Sequence, residues 1–299
     1  MYFFLFINLT SWEYALPRRG AKILAIVITG AAIAFSTVVF QTITNNRILT
    51  PSIIGLDSLY LLIQTFMIFI FGSTSAIVLN KNLNFILSAG LMVLFAIILY
   101  RLLFKNGSGG NIFFLLLVGI VFGTLFQSLS TFMQVLIDPN EFLSVQNRMF
   151  ASFNNVNTDL LYLSIILFFV ICLYFYRFTK YLDVISLGRD HAVNLGVDYD
   201  FVIKRLLIVV AILISIATAL VGPITFLGLL VANVAYEFMK TYQHKYLIPA
   251  AILISIVALA GGQLIVERIF SFSTPLSVIV NFVGGVYFLY LLLKESKKW

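Results

Sequence analysis

Long apolar runs recur along this chain, and they decide most of what it can fold into. They read approximately as residues 21–43, 52–79, 83–104, 112–137, 159–178, 201–221, 224–239, 246–266 and 275–293. Wound as a helix, about 20 apolar residues cross the roughly 30 Å hydrocarbon core of a bilayer. Lipid offers no water to the backbone, so each run must pair its own amides and carbonyls, which a helix does. The sequence therefore predicts an all-α, polytopic membrane protein with about nine full transmembrane helices. Composition agrees. Of 299 residues 61% are hydrophobic and 10% charged, against roughly half and a quarter in a soluble domain. With no soluble extension, low-complexity tract or repeat, a single membrane domain over 1–299 is expected.

Met1–Asn8 is also apolar, but too short to span. The twelve residues to Trp12 reach about 18 Å as a helix, which predicts a short additional N-terminal helix. It lacks the basic start and the cleavage site of a signal peptide.

Basic residues set the orientation. The loops after Gln41, Tyr100, Tyr176, Met239 and Leu293 carry 13 of the 19 Lys and Arg residues, and such loops face the cytoplasm. The outer side keeps Arg18, Arg19, Lys22, Lys81, Arg148 and Arg268. The net charge of +7 is thus a topology signal and implies no nucleic-acid partner. One polar segment, Ser186–Val197, falls on the cytoplasmic side between apolar runs. Its glycines, Gly188 and Gly196, leave room for about two helical turns carrying Arg189, Asp190, His191 and Asn194. A polar helix there cannot lie in lipid, and it sits where a soluble partner could touch it.

The inventory of reactive groups excludes several classes. The twelve acids, Asp57 among them, and the two histidines, His191 and His244, all read as lying outside the middle of a span. Transporters driven by ion gradients usually hold ionisable groups within the membrane, so an external energy source is expected. No His-Glu-x-x-His or nucleophile-elbow motif occurs, and two distant histidines make a poor metal site. No catalytic residue, metal site or cofactor of the chain's own is expected. Gly107-Ser108-Gly109-Gly110 lacks the Lys-Ser/Thr that phosphate binding needs and reads as a turn. The single cysteine, Cys172, cannot form a disulfide within the chain.

Uncharged polar residues do enter the spans. Thr124, Gln127, Thr131 and Gln134 share one face of the 112–137 helix, with Ser128 beside them. Such a stripe either bonds to a neighbouring helix or lines a pathway. A path of amides and hydroxyls suits a bulky anionic chelate, which fixed carboxylates would repel. Thr37, Gln41 and Thr44 form a second stripe, for which helix packing is the better reading. At Gly222-Pro223 a helix must break, because proline fits only a first turn, and such a break must be buried or line a cavity. Gly228 follows, suited to close helix approach. The loop Asp138–Asp159 is too polar to span and falls outside.

These motifs together resemble a known family. Ser186–Val197 resembles the coupling-helix segment of the iron–siderophore and cobalamin type ABC importer permeases. Gly222-Pro223-Ile224-Thr225-Phe226-Leu227-Gly228-Leu229 resembles their Gly-Pro-Ile-Gly-Phe-Val-Gly-Leu signature, although Ala232 and Asn233 stand where many members have Pro-His. Leu16-Pro17-Arg18 resembles the opening of the second family helix. Gln41–Gly55 resembles the Gln-x-x-x-x-Asn-Pro-Leu-x-x-Pro-x-x-x-Gly loop, with Asn46 at the usual proline. The run Met149–Asp159 is similar to members that take up catechol-type ferric siderophores.

The resemblance implies a type II ABC importer permease, with ten helices in the family pattern, in a bacterial cytoplasmic membrane. It implies a second permease subunit, like or unlike this one, and two cytoplasmic ATPases that bind ATP and Mg. It also implies an extracytoplasmic substrate-binding protein whose glutamates meet Arg18, Arg19 and Arg268. A local pair with Glu267 is the alternative for Arg268, and lipid headgroups for the other two. Gly188–Gly196 would couple the ATPases to a pathway at the subunit interface. Haem, cobalamin or another metal chelate is the alternative cargo. A stand-alone secondary transporter and a membrane enzyme are the rivals from other classes.

Overall fold

The computed structural model describes residues 12–103, 112–154, 156–272 and 274–296, and these form helices and their connections without a strand. Met1–Asn8 and the Gly107–Gly110 loop lie outside the described residues. In chain order the helices are α1 (Trp12–Thr44), α2 (Leu56–Phe71), α3 (Ala76–Leu79), α4 (Lys81–Leu103), α5 (Ile112–Leu136), α6 (Pro139–Met149) and α7 (Thr158–Tyr176). Then follow α8 (Thr179–Ile185), α9 (Arg189–Asn194), α10 (Tyr199–Val221), α11 (Leu227–Met239), α12 (His244–Arg268) and α13 (Leu276–Ser296). A 3-10 turn, Pro51–Ile54, precedes α2.

Seven of these helices are long and apolar enough to cross a membrane: α1, α4, α5, α7, α10, α12 and α13. The other two expected spans are shorter. Helix α2 has 16 residues and α11 has 13, about 24 and 20 Å at helical rise. Among the described residues, seven of the nine expected spans are thus helices long enough to cross, and the other two are shorter apolar helices. The run 52–79, expected as one span, is cut at Gly55 (φ 88°) and Gly72 (φ 75°). At Gly55 the left-handed backbone needs a residue without Cβ, because the chain must turn from the 3-10 turn into α2.

Helices α1 and α10 form the centre. In α1 83% of the most apolar stretch is buried inside the chain and in α10 72%, against 17% in α5. Small side chains explain the position of α1: Ala25, Ala31, Ala32, Ala34 and Ser36 are buried and let neighbouring backbones come close. Helix α12 uses this directly, since a Cβ at Gly30 would stand 3.0 Å from Ser255 Oγ. Helix α10 also packs on α4, and α2 packs on α5.

Candidate functional site

The segment expected on the cytoplasmic side forms a helix between its two glycines. Gly188 (φ 96°) and Gly196 (φ 81°) bracket the six-residue α9. Arg189, Asp190, His191, Asn194 and Gly196 are exposed. So are three large apolar side chains, Leu187 at 58%, Val193 at 50% and Leu195 at 64%. Ala192 alone of the helix turns inward and is fully buried. Ala192 is the contact by which α9 rests on the chain. Arg189 lies 4.0 Å from Asp200 and over the Tyr199 ring.

A polar relay holds this segment to the spans. His244 Nδ1 donates to Asp183 Oδ1 at 2.6 Å, and the His244 amide donates to the same oxygen at 3.0 Å. Its Nε2 then faces the Thr42 hydroxyl at 2.6 Å. Three elements meet there: α8, the start of α12 and the end of α1. The sequence carries both residues, but 61 positions separate them, and no periodicity signals their meeting.

On α5 the polar stripe divides. Gln134 turns inward, donating to Ser130 Oγ at 3.0 Å and Thr65 Oγ1 at 3.4 Å. Gly119 and Gly123 extend that packed face, with a Cβ at Gly119 falling 2.8 Å from Ile54 Cα. This Gly-x-x-x-Gly pair is a readable close-packing signal that the sequence reading missed. Thr124, Gln127, Ser128 and Thr131 lie on the adjoining arc and are exposed. Thr124 and Thr131 donate only to carbonyls of their own helix, Ile120 and Gln127. Among the described residues, these four polar residues therefore make no side-chain hydrogen bond to another helix. The second stripe is different: Thr37 is buried and donates to Ile33, while Gln41 donates to the Arg47 carbonyl at 2.7 Å.

The break at Gly222 (φ 99°) faces the outer loop. A Cβ there would stand 3.0 Å from Ala151 Cα and from the Phe150 carbonyl, and Ser152 N donates to the Val221 carbonyl at 2.8 Å. Pro223 is buried beside it. Gly228 presses on α1 so closely that a Cβ would overlap Thr37 Oγ1.

The polar outer segment contains α6, capped by Asp138, whose side chain accepts from Asn140 N. Glu141 Oε2 accepts from Ser73 N at 2.6 Å, and Arg148 donates to Gln64 Oε1 and to the Val78 carbonyl. Gln64 in turn donates to Asn84 Oδ1 and Ser88 Oγ, each at 2.8 Å. Arg148, counted from sequence as an outer loop charge, thus anchors a buried polar cluster. Burial draws its pKa below the ordinary arginine value. Beside α6 an outward cavity of about 690 Å³ is lined by Asn147, Ser152, Asn154, Gln263 and Thr274.

Of the outer arginines, Arg268 is exposed and makes no ion pair among the described residues. Its neighbour Glu267 binds Lys22 Nζ instead, at 2.7 Å. Arg19 lies on α1 one turn before Lys22 and is half-buried. The side chain of Arg18 lies outside the described residues.

Asp57 lies in the first turn of α2, just past the Pro51–Ile54 turn. It meets Thr218, one turn before the break, with 3.5 Å between Oγ1 and Oδ1.

The comparisons with known proteins join these features. The FecCD transport family model matches residues 3–294. The chain belongs to the FecCD transport family. Among this family's curated members, the petrobactin import system permease protein YclO of Bacillus subtilis is 67% identical, over 99% of this chain and 94% of that one. The petrobactin import system permease protein FatC of Bacillus anthracis is 38% identical, over 97% and 81%. A solved structure assigned to the metal-chelate type of ABC transporter, in an inward-facing conformation, superposes with a TM-score of 0.82. It shares 22% identity over 97% of this chain and 92% of that one, a likeness of fold.

Proposed function

We propose that this chain is a permease subunit of an ATP-binding-cassette importer for ferric siderophores in the bacterial cytoplasmic membrane. Near-full-length identity of 67% to a petrobactin import permease is the observation that carries this reading, and it makes ferric petrobactin the first cargo to test. Thr124, Gln127, Ser128 and Thr131 line the pathway with neutral oxygen and nitrogen groups, which pass a bulky anion without repelling it. Their exposed arc on α5 is where a second permease subunit, identical or not, closes the other wall. Gln134 braces the arc from behind. Gly222, Pro223 and Gly228 shape the packed break beside it.

Energy comes from two cytoplasmic ATPase subunits, which hold ATP and Mg. They dock on Gly188, Arg189, Asp190, His191, Asn194 and Gly196, where exposed charge and the apolar rims of Leu187, Val193 and Leu195 offer a mixed partner surface. An extracytoplasmic binding protein delivers cargo and docks on Arg18, Arg19 and Arg268. The chain catalyses no bond chemistry itself.

The deciding experiment is uptake of iron-55-labelled ferric petrobactin by cells lacking this chain, with and without its gene restored. Restored uptake is expected, and vesicles should require internal ATP. Uptake driven by an ion gradient without ATP would sink the proposal. Restored uptake of haem or cobalamin instead would redirect the cargo alone.

A further inference from the structure

We propose that the small cavity between α1, α2, α10 and the Gly222–Phe226 break binds a monovalent cation of sodium size, with the Asp57 carboxylate as its charged ligand. The cavity holds about 10 Å³, room for about one water-sized particle. Its polar wall consists of Asp57 and the hydroxyl residues Thr37, Thr50, Ser52, Thr218 and Thr225. Asp57 is half-buried as a residue, but its Oδ2 has less than 1 Å² of accessible surface and no hydrogen-bond partner. No Lys, Arg or His lines the cavity, and Asp57 makes no ion pair among the described residues.

Three physical arguments lead from this geometry to the ion. A carboxylate withdrawn from water without a counter-charge is strongly disfavoured. Asp57 sits in the first turn of α2, where unpaired amides favour the anion over the neutral acid. A cation bound in the cavity would supply the missing balance and hold the carboxylate charged. One carboxylate balances one positive charge. Hydroxyl and carboxylate oxygens are hard ligands, but a divalent calcium or magnesium ion would keep one positive charge that the single carboxylate leaves unbalanced. Thr225 supplies one of these hydroxyls at the place where the family signature quoted above has glycine. A bound ion would fasten the first turn of α2 to the last turn of α10 and to the break.

The site does not depend on the cargo assignment, and it can be tested on the full-length chain in detergent. Melting temperature is measured in sodium, potassium and choline chloride at one ionic strength. Sodium should raise it by about 2–4 °C over choline, and Asp57→Asn should remove that rise. If Asp57→Asn fails to fold, Ser52→Ala and Thr225→Val decide. Each removes one neutral ligand and should raise the half-saturating sodium concentration roughly two- to ten-fold. Equal melting temperatures in all three salts overturn the proposal. So does a sodium response unchanged in both hydroxyl variants, or a melting temperature that follows pH and ignores the salt, which would assign a proton to Asp57.

Discussion

Glu267 Oε1 lies 2.7 Å from Lys22 Nζ, joining the outer ends of α12 and α1. Gln263 Nε2 donates to the same oxygen at 2.9 Å. Glu267 is therefore committed across the bundle and leaves its neighbour Arg268 pointing into solvent. The same pair brings Arg19 and Arg268 to one side of the molecule, because Arg19 lies one turn from Lys22.

Arg268→Glu should slow association of the binding protein with reconstituted transporter several-fold at low ionic strength. The effect should fade as salt shortens the Debye length below about 10 Å. A glutamate-to-arginine change on the binding protein should restore the rate. Stopped-flow association at two salt concentrations checks this; an unchanged low-salt rate for both Arg18→Glu and Arg268→Glu would retire the docking surface.

Asp190→Arg and His191→Glu should leave the chain folded yet lower uptake per ATP hydrolysed by ten-fold or more. Ala192→Arg behaves differently. Its side chain has no exposed surface, so the larger residue should cost about 1–3 kcal/mol through overpacking and reduce yield in the membrane. Coupling ratio and yield, measured together, separate the two effects. A well-assembled Ala192→Arg protein with an uncoupled ATPase would contradict the burial argument.

Gly228→Leu should lower assembly sharply, because its side chain would enter the space of Thr37. Gly228→Ala should cost about 1–3 kcal/mol, and Thr37→Ala added to it should restore part, since the hydroxyl is the nearest obstacle. Size-exclusion profiles and thermal melts of the three variants check the order. Additive effects in the double variant would show that the two sites are independent.

His244→Ala leaves Asp183 and Thr42 without their shared partner at the cytoplasmic end. The loss should be about 1–3 kcal/mol, larger than for His244→Gln, which retains a donor. Hydrogen exchange in α8 and α9 should rise in step, because that segment is held through Asp183. Unaltered exchange in 179–194 would mean that the relay does not anchor it.

The helical class and the position of most spans were legible in the sequence because lipid imposes one requirement on every residue of a span. The Gly188–Gly196 helix was legible for a related reason: polarity between spans is conspicuous. Depth was not legible. Asp57 reads as an acid near a span's end, and no local pattern shows that Gly55 packs on Gly123 or that the Asp57 Oδ2 is buried. Facing was half legible. Periodicity placed Thr124, Gln127, Thr131 and Gln134 on one face, but only the contacts with Thr65 and Ser130 divide Gln134 from the others. Long-range polar pairs such as Asp183 with His244 leave no local pattern at all.

The segment 138–154 has one further consequence. Glu141 and Arg148 fasten it to α2, α3 and the turn between them, while Ala151 and Ser152 fasten it to Ser277 and Val221. It is therefore a strut with a fixed foot at each end. A displacement imposed near Glu141 would therefore be passed along α6 toward Gly222. Lengthening the strut by a single residue after Met149 would move its inner foot while the outer one stayed in place.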